Sequence, residues 1–490
     1  MEKLAMPEEI LINFTPQEAR VALIDRNQLQ EIYIERNNRQ GILGNIYKGR
    51  VSRLAPGMQA AFIDVGLERS AFLHSSDMLE YIKQSASIDP TEFDICHFLK
   101  PGQEILVQVY KDTLGTKGAR LTTQFGIPSR YLVLTPGLYE INVSQKITSH
   151  AERERLQGLL KPNEIGGYIF RTVAEGVSIE EITTDKIFLD TLWLELMQNA
   201  KQTKPGQLLY HELPIELRVL RDFASPDVKK IMIDDKATAE KMQEFAIRYI
   251  PHLAKCIEYY LDKGAIFDLY AVEDEIQRSL DRRVHLKSGG HIVIDQTEAM
   301  TTIDINTGSY LGKTNSEQTV FQTNLEAVYA IARQVRLRNL GGIIIIDFID
   351  MVDSVNRRQL LKALMDVVAK DTARVEISEL SSLGLVQMTR KRTRESLEHI
   401  LCDPCPTCQK RGSIKSIQTI CYEIFREIKR LTAIYTWPGF TVNASQEVIS
   451  YIQNEEANAI AELAALISKP IKLKIESSYG REQHSVLPLG

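Results

Sequence analysis

The chain has 490 residues, about three times an ordinary domain, so roughly two to four domains with sizeable cores are expected. An apolar fraction of 44% and a charged fraction of 25% exclude a largely disordered chain. Fifty-nine Lys and Arg against 64 Asp and Glu leave a formal net charge of −5, which excludes an all-over basic coat but not a local basic groove. No apolar run approaches the ~18 residues of a membrane span. The opening MEKLAMPEEI mixes acid and base without an apolar stretch, so no secretory signal is expected. The six cysteines are Cys96, Cys256, Cys402, Cys405, Cys408 and Cys421, three of them within seven residues. That is not a disulfide framework, and a reducing cytoplasm is the expected compartment.

In chain order, the first forty residues read as β-rich, with period-two alternation from Gln30 to Glu35. Short strands with glycine turns at Gly57 and Gly66, and another strand from Gln103 to Tyr110, predict a small closed β-barrel between about 41 and 124. Tyr131–Leu134 and Gly167–Thr172 read as strands of a further small sheet, with a helical A-E-R-E-R-L-Q-G-L-L between them and a second helix from Asp185 to Asn199. Glu216 to Ile233 has α/β character. After Arg282 the chain becomes a strand-rich α/β domain containing a helix over 321–338, and beyond the cysteine cluster a helix over 416–435 leads into a small tail domain.

Two acidic strand motifs carry chemistry. In Thr301-Thr302-Ile303-Asp304-Ile305-Asn306, strand periodicity sends Asp304 and Asn306 to one face and the isoleucines to the other. Ile343 to Ile346 read as a strand buried on both faces, ended by Asp347 and preceded by a glycine pair that permits close backbone approach. Two carboxylates on neighbouring strands would make an oxygen-rich site suited to Mg²⁺, with Asn306 placed to bond a carboxylate or a phosphate. The competing reading is two strand-end aspartates satisfied by backbone N–H groups.

Cys402, Cys405 and Cys408 lie in a C-P-x-C turn followed by Gly412, the shape of a zinc knuckle. Structural zinc takes four ligands. Either His399 or Cys421 completes a site within one chain, or two chains contribute two thiolates each. Phe62 and Phe72, near Tyr47, Lys48, Lys111 and Lys117, have the composition of a barrel surface that stacks single-stranded bases, although phenylalanine in a strand is more often core. Arg333, Arg336 and Arg338 on one helix, and the run Arg390 to Arg394, are either solvated faces or neutralisers of a polyanion beside the acidic pair. Arg171 and Thr172, after a predicted strand, are placed to cradle a terminal phosphate.

The combination of A-M-T-T-I-D-I-N-T-G, L-R-N-L-G-G-I-I-I-I-D-F-I-D-M, M-T-R-K-R-T-R-E-S, C-P-T-C, L-G-T-K-G-A-R-L-T-T and G-N-I-Y-K-G-R-V resembles the RNase E/G family of bacterial endoribonucleases over essentially the whole chain. The resemblance implies a multidomain α+β and α/β protein. A split RNase-H-like fold (1–40 and 216–281) would contain an inserted OB-type RNA-binding barrel (41–124) and a 5′-sensor domain (125–215). A DNase-I-like catalytic domain (282–401), a zinc-link (402–415) and a small dimerisation domain (416–490) would follow. It further implies catalytic Mg²⁺ on Asp304 and Asp347 supported by Asn306, and barrel contacts from Phe62, Phe72 and Lys117. A 5′-monophosphate pocket would comprise Arg171, Thr172 and Val133 buttressed by Arg374, and Cys405 and Cys408 would hold a zinc ion shared between chains. The implied activity is Mg²⁺-dependent, single-strand-specific cleavage of 5′-monophosphorylated RNA to 5′-phosphate and 3′-hydroxyl products. Implied substrates are the 5′ side of the 16S ribosomal RNA precursor and decaying messages, and the implied assembly is a cytoplasmic homodimer or higher oligomer. Two positions depart from the pattern. Lys146 stands where relatives carry arginine, losing a bidentate fork, and Lys410 stands where the zinc-link commonly has glycine. A non-catalytic RNA scaffold is the rival reading, against which Asp304, Asn306 and Asp347 stand together. A zinc hydrolase lacks an open His/carboxylate ligand set.

Overall fold

The structure is a computed structural model that describes residues 8–36, 41–78, 95–111, 118–224, 228–307, 316–381, 383–392, 394–408 and 411–489. Lys117 and Lys410 therefore lie outside the described residues. The chain divides into two units, Met1–Ile400 and Leu401–Gly490.

The first unit opens with an antiparallel meander of β1 (Glu9–Phe14), β2 (Glu18–Asp25) and β3 (Gln28–Arg36). The chain then leaves this sheet. β4 (Ile46–Ala55), β5 (Ala60–Asp64), β6 (Ala71–His74), β7 (Glu104–Lys111) and β8 (Arg120–Thr122) form a closed barrel, because the long β4 bends at a bulge near Ser52 and pairs with both β5 and β7. Alternate residues fill it: Val51, Ala61, Ile63, Ala71, Leu73, Val107, Val109 and Leu121 are all buried. Gly66 turns back with φ +79°, and a Cβ there would stand 2.1 Å from the carbonyl oxygen of Gly206, so only glycine fits.

The next sheet is built from β9 (Ile127–Pro128), β10 (Leu132–Pro136), β11 (Ile141–Val143) and β12 (Gly166–Phe170), in the order β11-β12-β10-β9. Helices His150–Leu159 and Ile179–Gln202 accompany it, each started by a serine whose side chain accepts from the backbone N–H three residues on. The second helix begins six residues before its expected start because Ser178 and Glu181 form that cap ahead of the apolar pattern. β13 (Gln207–Tyr210) returns to the edge of β4.

β14 (Lys230–Ile233) and β15 (Ile257–Tyr259) rejoin the opening sheet, giving the order β15-β14-β1-β2-β3 with β14 parallel to β1. One face buries Ile10, Ile12, Val21 and Leu23 against Met242 and Ala246 of helix Lys236–Tyr249. The barrel and the following small sheet are thus insertions between strands that share one sheet.

The remainder of the unit is a six-stranded sheet: β16 (Arg283–His285), β17 (His291–Gln296), β18 (Met300–Asn306), β19 (Gly342–Asp347), β20 (Val375–Ile377) and β21 (Leu385–Arg390), ordered β16-β17-β18-β19-β21-β20. Helices Ser316–Leu337 and Ser354–Val368 cover one face, over a core that includes Ile303, Ile305, Ile344, Ile346, Ile331 and Leu360. Each such isoleucine contributes about 1.5–3 kcal/mol on burial. The expectation that the isoleucine run is buried on both faces is corrected. Ile344 and Ile346 are fully buried, but Ile343 is 46% exposed and Ile345 half-buried, because helices cover one side only.

The second unit packs helices Ile417–Ile434, Gln446–Asn454 and Ala457–Ile467 with a three-stranded sheet. Its strands are β22 (Phe440–Ala444), β23 (Ile471–Ile475) and β24 (His484–Pro488), with β22 in the centre. Among the described residues no helix is long and apolar enough to cross a membrane.

Candidate active site and nucleic-acid interface

β18 and β19 run parallel with Asp304 directly opposite Asp347. Neighbouring strands lie about 4.8 Å apart, so the two carboxylates rise side by side from the uncovered face of the sheet. The residues that precede them alternate inward as Ile303 and Ile346, which fixes the register. Asn306, two residues along on the same face, donates from Nδ2 to Oδ2 of Asp304 at 2.8 Å. Burial, then the charges of Asp304 and Asp350, push the Asp347 carboxyl above its ordinary value. Among the described residues no ion pair reaches Asp304 or Asp347, and no three His, Cys, Asp or Glu side chains gather as a metal cage. A pair of uncompensated, all-oxygen donors on a rigid sheet fits a hard dication that keeps most of its waters. Among the described residues no backbone N–H is bonded to either carboxylate, so the reading of two strand-end aspartates satisfied by backbone finds no support there.

On the barrel, Phe62 and Phe72 are cross-strand partners on β5 and β6, with ring centroids 5.9 Å apart edge to face. Both are half-buried, while Ala61, Ile63, Ala71 and Leu73 turn inward, so the pair lies on the outer surface and not in the core. The Arg53 guanidinium lies 4.6 Å from the Phe62 centroid, and His74 stacks obliquely 6.2 Å from Phe72. A half-buried aromatic pair on an outer surface, flanked by an arginine and an imidazole, can stack unpaired bases. The sequence gives no sign of Arg53, whose place over the ring depends on the bulge in β4.

Arg171 follows β12 and opens the short helical turn Thr172–Ala174. Its Nη1 donates to the Ser129 carbonyl at 2.6 Å and its Nη2 to Asp222 Oδ1 at 2.7 Å. Thr172 Oγ1 is 3.0 Å from Ser144 Oγ, which also accepts from the Lys146 backbone N–H at 3.3 Å. Lys146 Nζ reaches across to the carbonyls of Asp371 and Thr372, at 3.1 and 2.7 Å. A chain of contacts thus runs from Thr172 to within two residues of Arg374. Arg374 itself is exposed and paired with Glu376 at 2.7 Å. Val133 sits on β10 opposite Ile169 and Pro128. Lys146 thus bonds two carbonyls through one ammonium in place of a bidentate guanidinium fork.

Asp222 is a residue that the sequence did not point to. It lies in the π-helical turn Val219–Phe223, and the Arg221 fork grips it through Nε to Oδ1 (3.0 Å) and Nη2 to Oδ2 (2.9 Å). Burial raises its carboxyl, but the bonds from Arg221 and Arg171 outweigh that and hold it below the usual carboxylate range. Arg221 Nη1 donates in turn to Glu212 Oε1 at 2.7 Å.

Most arginines of the two basic clusters are engaged within the fold, while Lys391 and Arg392 remain exposed. Arg333 donates to the Leu29 carbonyl and pairs with Glu275, Arg336 bonds Gln30, and Arg338 is buried against Gln334. Arg390 is buried with a bidentate grip on Asp371 at 2.8 and 3.1 Å. Arg394 lies 3.6 Å above the Tyr33 ring and donates to the Ile32 carbonyl. The side chain of Arg392 packs on the Gly341–Gly342 pair and bonds the Gly341 carbonyl, so those glycines make room for an arginine. Arg333, Arg336 and Arg394 tie this part of the chain to the opening sheet. The partners of Arg333, Arg336 and Arg394 lie more than three hundred positions away, beyond the reach of local sequence pattern.

In the second unit, N–H groups of Cys408 and Thr407 aimed at the Cys405 sulfur lower its thiol below the ordinary value, which favours the thiolate that a metal needs. Cys402 and Cys405 are exposed and Cys408 half-buried. Cys421 is fully buried in the core of this unit, and burial pushes its thiol up to about 11, so it does not fit as a fourth ligand. The His399 ring is engaged by Ser396 Oγ at 2.8 Å.

The chain is 50% identical over 487 residues to Ribonuclease G of Escherichia coli K12, spanning 98% of this chain and 100% of the relative. Ribonuclease G of Haemophilus influenzae is 47% identical over 485 residues, 98% and 99% of the two chains. Ribonuclease E of a Nostoc species is 36% identical over 415 residues, 83% of this chain and 59% of the relative. The model of the RNase E/G thioredoxin-like domain matches residues 404–488, and that of the Ribonuclease E/G family matches residues 126–393, across both the Arg171 and the Asp304 sites. On these matches the chain belongs to the ribonuclease E/G family.

Proposed function

We propose that the chain is a Mg²⁺-dependent, single-strand-specific endoribonuclease that favours RNA with a 5′-monophosphate. The observation that carries the reading is the register of Asp304 with Asp347, two carboxylates side by side with Asn306 bonded to the first and no cation paired with either among the described residues. Asp304 and Asp347 would hold the ion. When bound, Mg²⁺ supplies charge stabilisation on the scissile phosphate and a more acidic water for in-line attack. Asn306 fixes the rotamer of Asp304 and leaves its other oxygen free to coordinate. The rigid sheet keeps the two carboxylates at constant separation.

Phe62 and Phe72 would stack unpaired bases, with Lys117 as a backbone contact. Duplex bases are already stacked on one another, so this surface selects single strands. Arg171 and Thr172, with Val133 beside them and Arg374 as buttress, would receive the 5′-phosphate. Cys405 and Cys408 would bind zinc with the same pair from a second copy, which makes the active assembly a homodimer or a multiple of it. In this reading the split sheet would be the RNase-H-like fold, the barrel the OB-type module, the β9–β12 layer the 5′-sensor and the six-stranded sheet the DNase-I-like domain. Ribosomal precursor RNA at the 5′ side of the 16S species and messages under decay are the proposed substrates, in the cytoplasm. Six free cysteines accord with that compartment.

One experiment tests this reading: cleavage of a single fluorescent oligonucleotide carrying a 5′-phosphate or a 5′-hydroxyl, with and without Mg²⁺. Asp304→Asn and Asp347→Asn should each lower kcat by a factor of about a thousand or more while oligonucleotide binding persists. Wild-type turnover in either variant at saturating Mg²⁺ would leave a non-catalytic RNA-binding role as the better account.

A further inference from the structure

Arg171 is one end of a continuous ladder of alternating charge. Asp222 accepts from Arg171, Arg221 clamps Asp222 with two bonds, and Glu212 accepts from Arg221. The Glu212 backbone N–H then donates to Asn45 Oδ1 at 2.9 Å, at the root of barrel strand β4, and Asn45 Nδ2 reaches the Tyr47 hydroxyl at 3.3 Å. The inner two members are the less exposed, with side chains 23% exposed at Arg171 and 21% at Asp222 against 7% at Arg221 and 11% at Glu212. The turn that carries Asp222 is itself held, because the Arg130 guanidinium donates to the carbonyls of Leu220, Arg221 and Ala224.

This order has a physical consequence. A carboxylate beside a phosphate-binding arginine ordinarily competes with the phosphate. Here both Asp222 oxygens are already bonded by Arg221, and Glu212 offsets Arg221 in turn, so the formal charges of the inner three residues sum to −1 and are spread away from the surface. Asp222 retains one directional bond to Arg171 Nη2 without acting as a full counter-ion. With the Ser129 carbonyl on Nη1, it fixes the guanidinium plane before any ligand arrives, which spares the ordering cost of a long, flexible side chain.

We propose that Asp222 is the positioning residue of the terminal-phosphate site, and that Arg221 and Glu212 anchor it to the root of the barrel. The proposal rests on the reading of Arg171 as the 5′-phosphate residue. Substrate discrimination at the RNA end then depends on residues that do not touch the RNA.

The test compares the full-length protein with Asp222→Asn, Glu212→Gln, Arg171→Ala and the Arg171→Ala/Asp222→Asn pair. For each, kcat and KM are measured separately on 5′-phosphorylated and 5′-hydroxylated versions of one oligonucleotide, with a thermal melt to establish folding. Asp222→Asn should lower the ratio of kcat/KM between the two substrates about tenfold, the effect of one charged hydrogen bond, through a higher KM on the phosphorylated oligonucleotide. Added to Arg171→Ala it should lower the ratio no further, because Asp222 acts through Arg171. Glu212→Gln should lower the ratio about threefold, and it carries the test alone if Asp222→Asn shows no cooperative melt. An unchanged ratio in either carboxylate variant, or an equal loss on both substrates, overturns the positioning role. If Arg171→Ala leaves the preference intact, the terminal-phosphate reading itself fails and the proposal fails with it. If Arg171→Ala abolishes the preference while both carboxylate variants keep it, only the ladder is refuted.

Discussion

At Asp304 and Asp347 two carboxylates face one another across adjacent strands with no cation paired to them among the described residues, whereas at Arg171 each charge is answered by the next for four residues inward. The same residue types are used in opposite ways. A site for a small, strongly hydrated cation keeps its negative charges close and uncompensated, and a regular sheet supplies the stiffness that such repulsion needs. At Arg171 the guanidinium is instead oriented by a carboxylate that a second arginine already grips, so the four charges balance and most of them lie inward. One region holds like charges side by side, uncompensated among the described residues. In the other each charge has a partner.

That contrast can be broken by stability measurements alone. The largest effect is expected from Arg221→Ala, which leaves Asp222 and Glu212 facing one another without their shared cation. Urea unfolding should show a loss of about 3–5 kcal/mol, and a loss under about 1 kcal/mol would mean that the ladder is no tighter than a surface ion pair. Asp347→Asn should have the opposite sign. In metal-free buffer it should be neutral or stabilising by up to about 1 kcal/mol, and added Mg²⁺ should raise the melting temperature of the wild type but not of the variant. Substantial destabilisation without metal would show that Asp347 has a structural partner.

The smallest effect is a pH dependence. The Asp222 carboxyl is held below its ordinary value in the folded chain, so its contribution to stability is present above the unfolded carboxylate pKa and is lost as pH falls through the depressed one. The stability gap between wild type and Asp222→Asn should therefore be constant near neutrality and close in acid. A gap that widens on acidification would contradict the assigned bonds.

How much of this was legible in the sequence depended on whether the deciding contact was local. The face shared by Asp304 and Asn306 follows from strand period alone, and the structure keeps it. The barrel and the helices also follow from local pattern, with ends moved by a few residues where a cap such as Ser178 precedes the apolar repeat. The isoleucine run misled because β-branched residues mark a strand without saying what covers its second face. Arg333, Arg336, Arg390 and Arg394 misled for a related reason: a charge is free or spent according to partners that the chain brings from elsewhere, such as Leu29 for Arg333 and Asp371 for Arg390. Asp222 had no signal, since one Asp after an Arg in a helical stretch is commonplace and its contact with Arg171 spans 51 positions.

The opening sheet has a consequence in time. β1 is flanked by β2, made at once, and by β14, whose partner residues Lys230 to Ile233 are synthesised more than two hundred positions after Phe14. At about 5–20 residues per second, the apolar edge Ile10-Leu11-Ile12 waits roughly 10–40 s on the ribosome for its parallel neighbour while the barrel and the β9–β12 layer emerge. An unpaired edge of that kind is a template for pairing with other chains. Slow or interrupted translation of the inserted segments therefore exposes the nascent protein to aggregation at its first strand, and the yield of soluble enzyme should depend on how quickly the insertions fold and bring β14 home.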